Sequence, residues 1–179
     1  MKECKPKERV SYSSTTDKKG IICSVSEELC KISGYDKEEL IGQNHSILRD
    51  PSMPKIIFEL MWETIESGHI FIGYIRNKTK DGNYYWMSHK VHSFSKSKDG
   101  TCYYISHKTP MSSRAKHYMT TWYEKLLLEE HKGGVDASRV YMQAYLDYRG
   151  VNFNEYMETF LDAGGLLKVG YFMARKILS

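Results

Sequence analysis

The stretch from Ile41 to Gly68, IGQNHSILRDPSMPKIIFELMWETIESG, changes character halfway along its length. Its first half is a polar loop that carries His45 and Arg49, and its second half has apolar residues at helical spacing together with Trp62. Binding residues are frequently placed on loops that a rigid scaffold holds. The stretch therefore predicts a loop and a helix that close over the rest of a domain.

Short structural elements are expected on the N-terminal side of this stretch. Ile21–Val25 is β-rich, and two short helices follow it. The first has Ser26 as its cap and Gly34 as its stop, and the second has Asp36 as its cap and Gly42 as its stop. The pattern predicts two helices rather than one long helix.

The helix within the stretch begins at Pro54, because the missing donor of proline is tolerated in a first turn, and it ends before Gly68. Three β-rich segments come after it, and the first two end in Lys-Asp-Gly, a strong hairpin signal. Together these segments predict an antiparallel meander. The resulting order of elements is typical of an α+β fold with helices on one face of the sheet.

Alternation along the strands assigns side chains to the two faces of this sheet. In the first strand of the meander, Gly73, Ile75 and Asn77 lie on one side, and Tyr74 and Arg76 lie on the other. In the second strand, one face holds Tyr84, Trp86, Ser88 and Lys90, and the other holds Tyr85, Met87, His89 and Val91. His89 and His92 differ in parity, so one regular strand cannot aim both at a common metal. We therefore interpret His89, His92 and His107 as structural residues.

The chain divides by composition into three parts. Residues 1–10 are expected to form a charged, poorly ordered leader, residues 11–111 one domain, and residues 112–179 an all-helical C-terminal extension. Within the extension, Gly133–Gly134 separates a first helix from two more, and LLKVGYFMARKILS is expected to form a fourth.

Charge, cysteine spacing and hydropathy exclude several classes of protein. The chain has 26 basic and 22 acidic residues in an interspersed pattern, which gives no case for nucleic-acid binding. It has no CxxC pair, no signal-peptide pattern, and no apolar run near the ~20 residues that span a bilayer. Hydrolase, Walker and HExxH motifs are also absent. We expect a cytoplasmic protein with free thiols that is neither an enzyme nor inserted in a membrane.

Two segments, CKISGYDKEELIGQNHSILRDPSMPKIIFELMWETIESG and GYIRNKTKDGNYYWM, resemble the PAS sensor domains. They are most similar to the flavin-binding PAS domains of aerotaxis receptors and of split energy-taxis proteins. The positions that keep the pattern are His45, Arg49, Pro51, Met53, Pro54, Met61, Trp62, Asn77, Lys80, Gly82, Tyr85 and Trp86. The resemblance implies a five-stranded antiparallel sheet of order 2-1-5-4-3 with helices on one face.

The resemblance also implies FAD bound without a covalent link, with FMN ranked below it and haem last. It implies cofactor contacts from Arg49, Trp62, Asn77 and His45, and from Phe71, which stands where the family has tryptophan. Residue type alone leaves an alternative open at each of four positions. Arg49 could pair with its neighbour Asp50, and Trp62 could be an ordinary core residue. Asn77 could begin the turn after its strand, and His45 could be a loop histidine whose hydrogen bonds are all made within the protein. A thiol adduct is not expected, because the position of the reactive cysteine holds a histidine.

Two departures from the family pattern affect the expected cofactor. Asp50 replaces a histidine and adds negative charge near the place where a pyrophosphate would lie, and Ser52 replaces an aspartate. The implied function is a redox or energy sensor that signals to a membrane-bound receptor of the chemotaxis type. The resemblance is also compatible with a homodimer of this chain. The alternative is a PAS module without cofactor that serves in dimerisation or scaffolding.

Overall fold

The computed structural model of the protein describes residues 1–95 and 102–161. The chain forms two compact units. The first comprises Met1–Met53 and Ile57–Pro110, and the second comprises Pro54–Ile56 and Met111–Ser179. The two units are described separately below.

The first unit contains a five-stranded sheet with the order β2-β1-β5-β4-β3. All four neighbouring pairs are antiparallel. The strands are β1 (Tyr12–Thr16), β2 (Ile22–Val25), β3 (Phe71–Lys78), β4 (Tyr84–Ser95) and β5 (Cys102–Pro110). This arrangement confirms the predicted fold class and strand order.

The first Lys-Asp-Gly sequence forms the turn between β3 and β4. The Thr79 backbone N–H donates to the Asn83 carbonyl at 2.8 Å, and Gly82 has a φ of 82°. Glycine adopts this left-handed conformation without a steric penalty, which explains why it occupies the position. The second Lys-Asp-Gly sequence lies outside the described residues.

Two short helices follow β2, as predicted. Helix α1 (Glu27–Ser33) begins after Ser26, whose side chain accepts from the Leu29 N–H, and it ends at Gly34. Helix α2 (Lys37–Leu40) follows Asp36. Each cap satisfies a backbone donor that a helix start would otherwise leave open.

The polar loop contains a structure that the sequence did not predict. His45–Leu48 forms a 3-10 turn capped by Asn44. Helix α3 (Lys55–Glu66) then covers the predicted apolar stripe, and Gly68 follows it with a φ of 81°. The turn fixes the direction of a segment that would otherwise be a flexible connection.

A core cluster fills one end of the first unit. It consists of the buried side chains of Tyr12, Ile22, Leu29, Leu40, Leu48, Tyr85 and Met87. Burial of a large apolar side chain contributes roughly 1.5–3 kcal/mol, so this cluster is a principal source of stability for the unit. It joins α1, α2 and the 3-10 turn to strands β1, β2 and β4.

The N-terminal segment contacts the sheet, and the predicted leader over residues 1–10 stays a prediction. The Cys4 N–H donates to the Tyr84 carbonyl at 2.7 Å, and the Tyr84 N–H donates to the Lys2 carbonyl at 3.1 Å. These bonds occupy backbone groups at the start of β4.

The second unit is helical over its described length. Helix α4 (Ser113–Arg149) has non-helical geometry at Gly133 and Gly134, and α5 is Phe153–Glu158. The predicted stop at the glycine pair and the helix after it are confirmed. The predicted helix over residues 166–179 lies outside the described residues.

Aromatic rings hold the second unit together. The Trp122 ring centroid lies 5.3 Å from that of Tyr145 and 5.1 Å from that of Tyr156. Contact between Trp122 and Tyr145 requires the chain to reverse between them, which the break at Gly133–Gly134 allows. No helix in the described part of the chain combines the length and apolarity that crossing a membrane needs.

Candidate functional site

A cavity lies in the first unit between the sheet and the elements that cover it. Its walls come from β1, β3, β4 and β5 on one side and from the 3-10 turn and α3 on the other. The volume of the cavity is about 90 Å³, which is smaller than the ~300–1,000 Å³ that is typical of small-molecule sites. A cofactor of flavin size would therefore require the lining side chains to move apart.

The 3-10 turn is fastened to the connection between β1 and β2. The Asn44 side chain donates to the Lys19 carbonyl at 3.1 Å and accepts from the Ser46 N–H at 3.0 Å. The His45 N–H donates to the Gly20 carbonyl at 2.9 Å. These bonds fix the turn so that His45 lines the cavity.

Trp62 lies at the cavity and outside the core cluster. Its ring meets the Tyr104 ring edge to face, with centroids 5.6 Å apart and planes at 78°. Gly20 has a φ of 78°, and a Cβ there would lie only 3.2 Å from Cζ2 of Trp62. Trp62 is half-buried and lines the cavity, and its role in cofactor contact stays a prediction.

Arg49 lies at the cavity with its guanidinium packed on an aromatic ring. Its Cζ lies 3.5 Å from the centroid of Phe58, and its backbone forms an isolated bridge with Asn77. Burial lowers the pKa of Arg49 from its ordinary value, but arginine stays charged at neutral pH. Arg49 therefore brings a partly desolvated positive charge to the cavity wall.

Asp50 forms an ion pair with Arg76 rather than with Arg49. Its carboxylate is 0% exposed and accepts from Nε of Arg76 at 2.9 Å. The Ser52 N–H and hydroxyl donate to its other oxygen at 2.9 Å and 2.5 Å. The alternative that Asp50 pairs with Arg49 is therefore wrong, because its negative charge is matched by Arg76. Both departures from the family pattern belong to one local hydrogen-bonded unit.

Asn77 supplies a buried carboxamide to the cavity wall, on the side of its strand that it shares with Ile75, as alternation predicted. It is 3% exposed, and its Nδ2 has no hydrogen-bond partner among residues 1–95 and 102–161. Burial raises the pKa of the neighbouring Tyr85 hydroxyl, and the nearby Asn77 amide partly offsets that rise. The two groups are close but not aligned for a hydrogen bond, so the amide remains available to a ligand.

A chain of polar side chains runs from the cavity into the sheet. Nε2 of His45 lies 3.0 Å from the Ser14 hydroxyl, and Nζ of Lys108 donates to that hydroxyl at 2.7 Å. Burial and the charge of Lys108 lower the pKa of His45 to about 3, so the ring is neutral. The Ser14 hydroxyl then donates to Nε2, which places the ring hydrogen of His45 on Nδ1.

His89 also lines the cavity, although we interpreted it as structural. Its Nδ1 lies 3.3 Å from the Ser106 hydroxyl, and its Nε2 has no partner in the described part of the chain. Burial lowers the pKa of His89 well below its ordinary value. His92 and His107 lie elsewhere and stack on each other, with ring centroids 6.0 Å apart.

Phe71 does not line the cavity. It is fully buried, and its ring covers Gly73, where an added Cβ would lie 2.5 Å from Cζ of the ring. The ring of Phe71 therefore occupies the space that a side chain at position 73 would need. A contact between Phe71 and a cofactor stays a prediction.

The charges around the cavity have one sign. No aspartate or glutamate is among its lining residues in the described ranges, while Arg49 is. The amine of Lys108 donates to the Ser14 hydroxyl and adds positive charge when it is protonated. Such an arrangement favours a ligand with negative charge.

Sequence reasoning missed Ser14, Lys108 and Tyr104. Alternation within TCYYISHKT would have placed Tyr104, Ser106 and Lys108 on one face of β5, the face that holds the cavity. No local signal reveals that this lysine is buried against a serine 94 positions earlier in the chain.

Comparison with known proteins shows what this unit is similar to. Residues 22–107 match the family model described as PAS fold. The aerotaxis receptor of Escherichia coli K12 is 39% identical over 74 residues, which cover 41% of this chain and 15% of the receptor. The nitrogen fixation regulatory protein of Klebsiella pneumoniae is 29% identical over 72 residues, which cover 40% of this chain and 14% of the regulator.

A solved light-oxygen-voltage domain, studied with a flavin analogue, has a TM-score of 0.55 and 18% identity, and covers 64% of this chain and 88% of that one. The structural likeness shows the fold. The chain spans only 14–15% of the length of the two curated relatives described above. The resemblance to aerotaxis-receptor PAS domains is confirmed over the matched segment.

Proposed function

We propose that the PAS domain of this chain, matched over residues 22–107, binds a flavin without a covalent link and reports its redox state to a partner protein. The observation that carries the proposal is the cavity between the sheet and α3. It combines aromatic walls, one-sided positive charge and two buried polar atoms that have no partner in the described residues.

The walls suit a flat aromatic ring system. Trp62, Tyr104 and Phe58 line the cavity together with aliphatic side chains. Aromatic contacts contribute ~0.5–1.5 kcal/mol beyond the burial of their area, and apolar walls keep water away from a bound ring. The edge of a flavin ring also needs hydrogen-bond partners. Nδ2 of Asn77 and Nε2 of His89 provide two that are free to take them.

Arg49 supports FAD as the expected form of the flavin. A guanidinium suits phosphate oxygens because it offers several donors in a fixed plane. Its position on the Phe58 ring holds that plane at the cavity, and the carboxylate of Asp50 is already neutralised by Arg76. The local charge therefore attracts a pyrophosphate, with FMN as the alternative.

A bound flavin would supply two-electron chemistry, and its reduction adds a proton to a ring nitrogen that accepted a hydrogen bond before. Asn77 can respond to this change because a carboxamide has both an acceptor and two donors. A buried hydrogen bond that is lost costs roughly 1–3 kcal/mol, which is also a typical coupling energy between two sites. One change at Asn77 is therefore sufficient to bias the sheet between two packings.

We further propose that the partner is a membrane-bound receptor of the chemotaxis type and that this chain acts in the cytoplasm without being an enzyme. The likeness to the aerotaxis receptor supports this partner class. The second unit offers apolar side chains to solvent, including Val140 at 70% and Tyr148 at 78% exposure. Aromatic residues are enriched at protein interfaces, so this unit is the expected contact surface.

The experiment is an absorption spectrum of the purified full chain, followed by titration with FAD and FMN. We expect flavin bands that dithionite bleaches, and a rise in thermal stability when FAD is added to the ligand-free protein. The matched variants are Trp62→Leu and Asn77→Leu, which weaken binding, and Trp86→Leu, which changes a buried ring outside the cavity lining.

A colourless protein that takes up neither flavin would contradict the proposal. It would support the use of this PAS domain as a cofactor-free scaffold. A haem spectrum would contradict both functions.

A further inference from the structure

Lys108 is a buried lysine that has no carboxylate partner among the described residues. It lies in β5 with 1% exposure, and its Nζ donates to the Ser14 hydroxyl at 2.7 Å and to the Ser106 carbonyl at 3.4 Å. Among the described residues, burial alone shifts its pKa, with no contribution from an acidic neighbour. A buried ammonium normally needs an opposite charge, because desolvation is costly.

The ammonium stands one side chain away from the cavity. Ser14 and Ser106, its two hydrogen-bonding residues, both line the cavity, and so does His45 on the far side of Ser14. The structure contains a built polar path from Lys108 to the cavity wall. A ligand with negative charge at this wall would supply the opposite charge that the protein does not.

We propose that Lys108 makes the cavity hold a reduced, anionic flavin more tightly than the oxidised, neutral form. The inference rests on the proposed function and adds a regulatory residue to it. Two electrons from an external reductant and one proton from solvent convert the neutral ring into a ring with one negative charge. An ammonium in a medium of low dielectric stabilises that charge and leaves the neutral ring almost unaffected.

The same arrangement predicts that Lys108 takes up a proton when the flavin is reduced. Burial lowers the pKa of Lys108 to about 7, so near neutrality the amine is only partly charged. A negative charge at the cavity wall raises that pKa, and Lys108 takes up a proton on reduction. The other titratable or charged groups near Lys108 are His45, Arg49, Tyr12, His89 and His107. The pKa values of His45, His89 and His107 are all lowered and arginine stays charged, so Lys108 is the group that we expect to respond.

The first test compares the midpoint potential of the bound flavin in wild type, Lys108→Met and Lys108→Arg. We expect Lys108→Met to lose at least tenfold in the preference for reduced flavin, which for a two-electron couple is a midpoint about 30 mV lower. Lys108→Arg keeps the charge and retains most of the preference. Lys90→Met is the control, because Lys90 is exposed and does not line the cavity.

The second test follows the Lys108 amine by NMR in selectively labelled protein, without ligand, with oxidised flavin and with dithionite-reduced flavin. We expect its proton affinity to rise at least tenfold on reduction. Equal midpoints in wild type and Lys108→Met, or an unchanged Lys108 titration on reduction, would overturn the inference. If flavin binds but Lys108 titrates near 10.5 in the ligand-free protein, the inference about Lys108 would be wrong and the proposed function would stand. Failure of the wild type to bind flavin would remove both proposals.

Discussion

Two buried regions share one face of the five-stranded sheet, and they differ in what fills them. Along β4 the change occurs between Met87, in the core cluster, and His89, at the cavity. Along β1 it occurs between Tyr12 and Ser14. Two positions along a strand therefore separate a region packed with apolar side chains from a region lined with polar ones.

The difference shows where stability and binding capacity come from. The core cluster gains free energy from buried apolar area, whereas the cavity wall keeps Asn77 and His89 with a polar atom that finds no partner in the described residues. Each such atom costs roughly 1–3 kcal/mol. The polar cavity wall therefore lowers the free energy of unfolding of the first unit, and the core cluster offsets this loss.

The largest expected contrast comes from truncation in each region. Leu40→Ala removes a fully buried core side chain and should lower the free energy of unfolding by ~2–5 kcal/mol, because a new void remains. Ile65→Ala, at the cavity, should cost less, since empty space already adjoins it. Urea denaturation of both variants measures the difference. Equal losses would show that the two regions are packed alike.

Lys108→Met should stabilise the protein in a manner that depends on pH. The pKa of Lys108 is about 7 when folded and 10.5 when exposed, so the native state binds fewer protons between these values. Stability of the wild type should rise with pH across that window, and Lys108→Met should lack this rise. At pH 7 and below, the variant should be more stable by on the order of 2–4 kcal/mol.

Denaturation midpoints measured from pH 6 to pH 10 test this expectation by the linkage between proton binding and stability. Lys90→Met is the control, since Lys90 is exposed. Parallel pH profiles for wild type and Lys108→Met would contradict it.

Asp50→Asn tests a buried ion pair that is fully satisfied, in contrast to the cavity wall. The change leaves Arg76 without its carboxylate and should cost about 1–3 kcal/mol. Glu27→Gln removes half of an exposed pair with Lys31 and should leave the midpoint nearly unchanged. Urea denaturation compares them, and an effect of Asp50→Asn as small as that of Glu27→Gln would be inconsistent with a structural role.

The smallest effect is expected at Gly20, where the cavity meets the connection between β1 and β2. Gly20→Ala should cost about 1–2 kcal/mol for the left-handed backbone, and it should also displace Trp62 and weaken flavin binding. Gly42→Ala is matched, because Gly42 has a φ of 81° but no atom within 4 Å of an added Cβ. If both variants bind flavin equally, the contact between Gly20 and Trp62 has no role in the site.

Local patterns predicted most of the fold. Strand alternation grouped Asn77 with Ile75, and both line the cavity, while Ser26 and Gly34 marked the ends of α1. These signals act over a few neighbouring residues. The order of the strands came from the family resemblance. The 3-10 turn was missed because its stability depends on bonds to the distant Lys19 and Gly20.

The candidate site was predictable only in part. Trp62 and Arg49 could be named from the resemblance, but the pairing of Asp50 with Arg76 joins residues 26 positions apart, and no local pattern encodes it. The same holds for the link between Lys108 and Ser14, which joins two strands that are neighbours in the sheet but whose residues are 94 positions apart in the sequence. Buried polar contacts of this kind depend on tertiary packing.

The glycine pair in α4 decides the length of the second unit. Gly134 has a φ of 75° and a ψ of −170°, a conformation open almost only to glycine. A side chain at this position would favour an unbroken helix of 37 residues, a rod ~55 Å long that carries Trp122 and Tyr145 far apart. The backbone conformation of Gly134 therefore allows Trp122 to pack on Tyr145 within one chain.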